Sequence, residues 1–344
     1  MATRTDADPA ATLASNWFLI QTVAGMRDKI YLSTFLFGAG LLLYVGRDLL
    51  EKSAVVTWGL TFGGTTAAAV LGLALYRVQF ELRASRHELA RKEAELNFAL
   101  EVQQALFPRR FPPPDTGLEF AAVCVPARGI SGDYYDVMQL GTSRVVFAIA
   151  DISGKGISAA ILMSGLQAVS RTLAEAGLSP AEVCSRLNLY LYRITDRSRF
   201  ATFFYCEWNP SERRLSYVNA GHPVPIVIGS NSGRELVEGG PVLGIFSDGA
   251  YEVGNVVLQT GDLVVFYSDG ITEAGVLNEN EFGESRLAEV VAAGLRKPLS
   301  EIQREILEST RRWSGGEQED DMTLLLVRVI GNDTGAPPPV REET

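Results

Sequence analysis

Residues 54–76 (AVVTWGLTFGGTTAAAVLGLALY) carry no charged side chain, over the roughly 20 residues a helix needs to cross a bilayer. No other feature restricts the chain so strongly. In hydrocarbon every backbone polar group must be satisfied within the protein, and a single segment can manage that only as a helix. A second uncharged run, residues 30–46 (IYLSTFLFGAGLLLYVG), lies just before it, at the short limit for a span. The turn between them, residues 47–53 (RDLLEKS), is formally neutral and too small for a domain. Arg27 and Lys29 precede the first run, and Arg77, Arg83 and Arg86 follow the second. That placement of positive charge puts both ends on the cytoplasmic side. The expectation is a two-helix transmembrane hairpin over residues 30–76, multi-pass in the cell membrane. Residues 1–29 form a cytoplasmic segment without the pattern of a secretory signal. A helical hairpin buried in a soluble domain is the alternative. Gly63-Gly64 and the Ala67–Ala69 run suit close helix packing in either setting.

Residues 77–107 read as a linker helix. From Arg77 to Leu106 there is neither Gly nor Pro, and Leu82, Leu89 and Leu96 recur every seven residues. With leucine at d, the a side of the seam falls near Ser85 or Arg86 and Lys92 or Glu93, so the coiled coil is weak. A parallel homodimer through this helix is the expectation, and a solvated helix lying on its own domain the alternative. Pro108 and then Pro112-Pro113-Pro114 end the helix.

The balance of 41 acidic against 31 basic residues, a net charge of −10, excludes nucleic-acid binding as the main task, because phosphate neutralisation needs a basic face. Cys124, Cys184 and Cys206 are odd in number, far apart and set in apolar runs. They read as thiols of a reducing compartment, with no disulfide framework and no CxxC metal site.

After Pro114 the period changes to short strands: LEFAAVCV, DYYDVMQL, RVVFAIAD, FATFFYCEW, RLSYVNAG, VVLQ, DLVVFYSD and DMTLLLVRVI. Helical patterns interrupt them at residues 158–176, 180–195, 284–293 and 299–313. Strands, two helices, strands, two helices and a last strand fit an α+β fold better than a doubly wound parallel sheet. The expected form is two antiparallel sheets with helices on their outer faces. The domain spans residues 108–330, and the tail 331–344 (GNDTGAPPPVREET) reads as disordered.

The chemistry is carried by acids at strand ends. Val145–Ala150 is a buried strand that presents Asp151, and Gly154 and Gly156 then leave the backbone open. Main-chain groups at Ile152 and Ser153 are therefore free to approach an ion. The design recurs at Val264–Gly270 with Asp269, while Asp133 and Asp136 flank a strand start and Asp320 and Asp321 open the last strand. A single aspartate there is usually a turn or cap residue. Four clusters meeting at one edge would repel each other unless hard divalent ions neutralised them. Spacing excludes two other readings. Ile149 and Gly156 occupy the places around Lys155 where a P-loop needs Gly and Ser or Thr. Asp133 and Asp136, three apart, do not match the alternate-residue ligands of an EF-hand. Only His222 is available in the globular part for a Ser-His-Asp triad, and no GxSxG accompanies it. That leaves water activated by a cation as the nucleophile.

The run GDYYD, ADISGKG, NAGHP (Asn219–Pro223), YSDGITE and EDDMTLLLV, together with Val102–Pro108 (VQQALFP), resembles the bacterial branch of the metal-dependent protein phosphatases, the SpoIIE-type catalytic domain. The resemblance spans about residues 102–330 and implies an α-β-β-α sandwich holding two Mn²⁺ or Mg²⁺ ions. Carried over, Asp151 bridges the ions, the Ile152 carbonyl completes one site, Asp133 holds the same ion directly or through water, and Asp269 and Asp320 hold the other. Asp320 is favoured over Asp321, which with Asp136 and His222 stands behind the site. His222 is equally a structural histidine or a proton donor, Arg128 equally a phosphate clamp or an exposed loop residue, and Lys155 a phosphate contact or solvated. Ser131 stands where such domains often have Gly and is expected to matter little.

The resemblance implies direct hydrolysis, by a water bridging two metals, of phosphoserine or phosphothreonine on a regulatory protein, typically an anti-sigma-factor antagonist. The linker helix is expected to gate this activity by repositioning the helix at 158–176. A catalytically silent phosphatase-like binding module is the alternative. A sensor histidine kinase is disfavoured, because His87 is the only linker histidine and no Gly-rich nucleotide motif follows it.

Overall fold

The computed structural model describes residues 34–41, 44, 54–127, 129–141, 144–196, 198–229, 233–275 and 280–331. About half of the expected first membrane helix, its turn, Arg128 and the tail from residue 332 lie outside the described residues. The chain divides into two compact units, Met1–Leu89 and Ala90–Thr344. In the first, residues 34–41 are helical, and helix α1 (Ala54–Gln104) begins. Sequence reading ended the membrane segment at 76 and began a linker at 77, but α1 runs through both without a break. No helix-breaking residue stands at the junction, so the backbone ladder continues while side-chain polarity changes. Trp58, Phe62, Leu73 and Tyr76 are exposed, and Thr65 and Thr66 donate their hydroxyls to the carbonyls of Thr61 and Phe62 (2.8 and 2.7 Å). Exposed apolar side chains along an uncharged stretch of this length are compatible with a helix that crosses a membrane. Two described helices are long and apolar enough to cross a membrane, this one and α2 (Ile157–Glu175), but α2 packs its apolar face on a sheet.

The second unit is a four-layer sandwich. One sheet has the order β1-β10-β9-β6 and the other β2-β3-β4-β5, with β7 and β8 added on β5. The strands are β1 (Leu118–Val125), β2 (Tyr134–Leu140), β3 (Arg144–Ile152), β4 (Ala201–Asn209), β5 (Arg214–Ala220), β6 (Ile226–Ile228), β7 (Gly239–Gly240), β8 (Gly254–Val257), β9 (Leu263–Tyr267) and β10 (Met322–Val329). All pairings are antiparallel except β5 with β7, so the expectation of antiparallel sheets holds save for that two-residue pair. The sequence reading missed β6 and β7, which are too short to show a period.

Strand alternation sorts the cores. Phe147, Ile149, Phe204, Tyr217, Phe266 and Leu325 fill the space between the sheets, where Phe266 meets Phe147 and Phe204 edge-on at 5.6 and 5.4 Å. Residues one position over, Val146, Ala148, Phe203 and Tyr205, face α2 and α3 (Pro180–Ile194). Val265, Tyr267, Leu324 and Leu326 face α5 (Gly283–Gly294) and α6 (Leu299–Trp313). Ser179 caps α3 through a reciprocal capping box with Glu182.

Register decides where the acids fall. Tyr134 pairs with Ala150, so the start of β2 and the end of β3 share one edge. Val125 pairs with Met322 and Leu324 with Tyr267, so the end of β1, the start of β10 and the end of β9 share the equivalent edge of the other sheet.

Candidate active site

Asp133 immediately precedes β2, Asp151 lies near the end of β3, Asp269 opens the one-turn helix α4 (Asp269–Thr272) after β9, and Asp320 and Asp321 precede β10. These five acids therefore stand at one end of the sandwich. Their fields overlap. Burial, then the charge of Asp151, raises the pKa of Asp133 well above the carboxylate range. Asp151 is pushed up to about 7 by burial and then by Asp269 and Asp320, and Asp269 is raised by burial and then by Asp320.

Asp321 does not face this shared field alone; it organises the loop before β2. Its Oδ1 accepts from Ala127 N (2.7 Å), and its Oδ2 accepts from Gly132 N and Ser131 Oγ (2.8 Å each). Ser131 Oγ accepts from Asp133 N (2.9 Å), so the Ser131 hydroxyl links Asp321 to the residue that carries the buried acid. Ser131 is fully buried, and the expectation that it matters little is corrected by that position. Gln103, in the last turn of α1, grips the same residue twice. Its Nε2 donates to Ser131 O (2.7 Å) and its Oε1 accepts from Ser131 N (2.9 Å). Ser131 stood out in the sequence only as a departure from Gly, and Gln103 not at all. The only hint was a glutamine in the VQQALFP segment, and a buried polar group must find partners.

Three further residues take distinct places. Asp136, expected to stand behind the acids, is committed to the helix side of β2. Arg171 on α2 donates Nε and Nη2 to its two oxygens at 2.6 Å each, and Tyr134 Oη and Val137 N complete its shell at 2.9 Å. His222 is buried, and its Nδ1 lies 2.8 Å from Thr202 Oγ1. Thr202 sits opposite Asp151 in the β3–β4 register. The turn that presents His222 is closed by Asn219, which accepts from His222 N (2.8 Å) and donates to His222 O (3.0 Å). Burial pulls the imidazole pKa down to about 3, so the ring is neutral near pH 7. Lys155 is exposed yet partnered: its Nζ lies 2.7 Å from Asp320 Oδ2 and 3.2 Å from the Glu319 carbonyl.

Among the described residues no three His, Cys, Asp or Glu side chains are gathered tightly enough to hold a metal ion as they stand. The donor chemistry nonetheless suits one. Asp133 Oδ2 is buried without a hydrogen-bond partner, a costly arrangement for a carboxylate. Gly132 keeps the neighbouring space open, since a Cβ there would lie 3.1 Å from Ile152 O and 3.7 Å from Asp151 Oδ1. Carboxylates plus a main-chain carbonyl form an all-oxygen set fit for Mg²⁺ or Mn²⁺.

The family model of stage II sporulation protein E (SpoIIE) matches residues 141–330. The chain is 32% identical over 256 residues to phosphoserine phosphatase RsbU of Bacillus subtilis, covering 74% of each. Among solved structures it is similar to the RsbU and RsbW domains of a Mycobacterium tuberculosis protein (TM-score 0.55, 26% identity, 62% of this chain and 60% of that one). It is also similar in fold to the SiaA-PP2C domain of Pseudomonas aeruginosa (TM-score 0.60, 20% identity, 70% of this chain and 98% of that one).

Proposed function

Because this chain belongs to the SpoIIE family of PP2C-type protein serine/threonine phosphatases, we propose that it is a membrane-tethered, metal-dependent member acting on phosphoserine or phosphothreonine of a regulatory protein. The observation that carries the reading is the buried, unpartnered oxygen of Asp133 beside Asp151, Asp269 and Asp320, where burial and then neighbouring carboxylate charge raise the pKa values of Asp133, Asp151 and Asp269. In this reading Asp133, Asp151 and the Ile152 carbonyl would hold one ion, and Asp151, Asp269 and Asp320 a second, of Mn²⁺ or Mg²⁺. When bound, such ions lower the pKa of water and neutralise phosphoryl charge. The protein's own part is positional. Asp321 and Ser131 fix the backbone that carries Asp133, and neutral His222 braces Thr202 beside Asp151. The buried Asp136–Arg171 pair anchors α2, the helix that follows Asp151.

The substrate class follows the relative named a phosphoserine phosphatase, and an anti-sigma-factor antagonist is the proposed protein. Membrane attachment rests on the uncharged, exposed 54–76 part of α1, with residues 30–76 as the hairpin and the 108–330 domain in the cytoplasm. The linker of residues 77–107 is proposed to pair two chains and to gate activity. Two bonds support that gate: Gln103 to Ser131, and Gln167 Nε2 on α2 to Leu106 O (2.8 Å). They tie the helix end both to the Asp133 loop and to α2.

The test is hydrolysis of a phosphoserine-bearing antagonist protein by the purified full chain with and without Mn²⁺. Asp151→Asn and Asp269→Asn are each expected to lower the rate at least a hundredfold. Wild-type turnover that ignores Mn²⁺ and survives both changes would refute the reading, and a chain that binds the phosphoprotein without turnover would be a pure binding module.

A further inference from the structure

Lys155 is bound to Asp320, one of the acids assigned above to a divalent ion. Its ammonium lies 2.7 Å from Asp320 Oδ2 and 3.2 Å from Glu319 O, and its charge also reaches Asp269 and Glu273. The loop that delivers it is held in shape by Gly154 and Gly156, at φ +99° and +76°, conformations that L side chains rarely adopt. Helix α2 starts directly afterwards, at Ile157. Both partners of the pair are about half exposed (52% and 44%). An ion pair so open to water is weak, so a doubly charged ion can displace it.

We propose that Lys155 is a built-in counter-cation that competes with the divalent metal ion for Asp320, so that this side chain sets how tightly the ion is held. The proposal rests on the metal reading of the site. Lys155 neutralises part of the acidic edge and occupies an oxygen that the ion needs. Binding of the ion then has to break the Lys155–Asp320 contact and bring a double charge close to the ammonium. Removing the ammonium relieves both costs, whereas a phosphate-contacting lysine would leave metal affinity unchanged. Because α2 begins two residues after Lys155, a displacement of that helix start would carry the ammonium with it and alter metal affinity.

The experiment is direct binding of Mn²⁺ to the purified full chain in detergent, read from the electron paramagnetic resonance signal of free Mn²⁺ and independent of turnover. Lys155→Gln should tighten binding by roughly two- to fivefold, the scale of losing one nearby like charge in a partly exposed site. Lys155→Arg, which keeps the charge, should stay near wild type. In an Asp320→Asn background the gain from Lys155→Gln should vanish. Unchanged or weaker binding in Lys155→Gln, or an equal gain with and without Asp320, would overturn the proposal. Failure of the wild type and every variant to bind Mn²⁺ would instead overturn the metal reading on which it stands, so the two failures are distinguishable. Thermal melts of each variant in EDTA report folding separately.

Discussion

Replacing Arg171 by Met should destabilise the catalytic domain far more than replacing its partner, Asp136, by Asn. The Asp136 side chain is fully buried, whereas that of Arg171 is 38% exposed. Arg171→Met strands a carboxylate in the interior with only Tyr134 Oη and Val137 N, the two bonds of 2.9 Å, as partners. Breaking a buried pair in this way costs about 3–5 kcal/mol, and the exposure of the arginine places the expected value near the lower bound, about 3 kcal/mol. For a domain of this size that is a fall of about 6–12 °C in melting temperature. Asp136→Asn leaves only a cation that water can reach, and the amide can still serve the Tyr134 hydroxyl. Its cost should be about 1 kcal/mol. The double variant should therefore be more stable than Arg171→Met alone, because the stranded charge is gone. The assay is tryptophan-fluorescence melting of the full chain in detergent at fixed pH. A fall of less than 3 °C for Arg171→Met, or a double variant less stable than it, would refute the reasoning.

Three other outcomes follow from named contacts. The imidazole of His222 is held at about 3 against about 6.5 in an unfolded chain. The unfolded state thus binds the extra proton, and stability present above pH 6.5 falls as pH drops toward 3; the loss is about 2 kcal/mol at pH 5. His222→Gln should flatten acid melting curves over that window, and an unchanged slope would count against it. Ser131→Ala leaves Asp133 N without its acceptor and Asp321 Oδ2 with Gly132 N alone, so it should cost about 1–3 kcal/mol and lower the rate of hydrolysis, seen by melting and by phosphate release. Leu82, Leu89 and Leu96, all at least partly exposed along α1, should lose self-association and gated activity when changed together to Ala. Light scattering that shows the same mass and unaltered activity would exclude pairing through that helix.

Much was legible in the sequence because the signals are local. Uncharged length marked 54–76, and leucine spacing with an absence of Gly and Pro marked the helix that follows. The four expected domain helices fall within a residue or two of their bounds, since α3 carries its own cap at Ser179 and Pro180 and α6 its own amphipathic period; the one-turn α4 was not expected. The long strands were visible as apolar runs ending in Asp, and those aspartates do stand at one end of the sandwich, as antiparallel register requires.

Partnership was not legible. Asp133 and Asp136 look alike in GDYYD, yet strand alternation sends Asp136 to Arg171 on the helix side and leaves Asp133 at the loop. Asp320 and Asp321 are neighbours of the same chemistry, and only the approach of the 127–132 loop turns one into its anchor and leaves the other to Lys155. The pairing of Gln103 with Ser131 was not legible, because it arises from contact across 28 positions. A sequence fixes chemistry and local period, which are properties of residues and their near neighbours. Burial, hydrogen-bond choice and the electrostatic company of a carboxylate depend on segments far apart in the chain, and these were decided when the two sheets closed on each other.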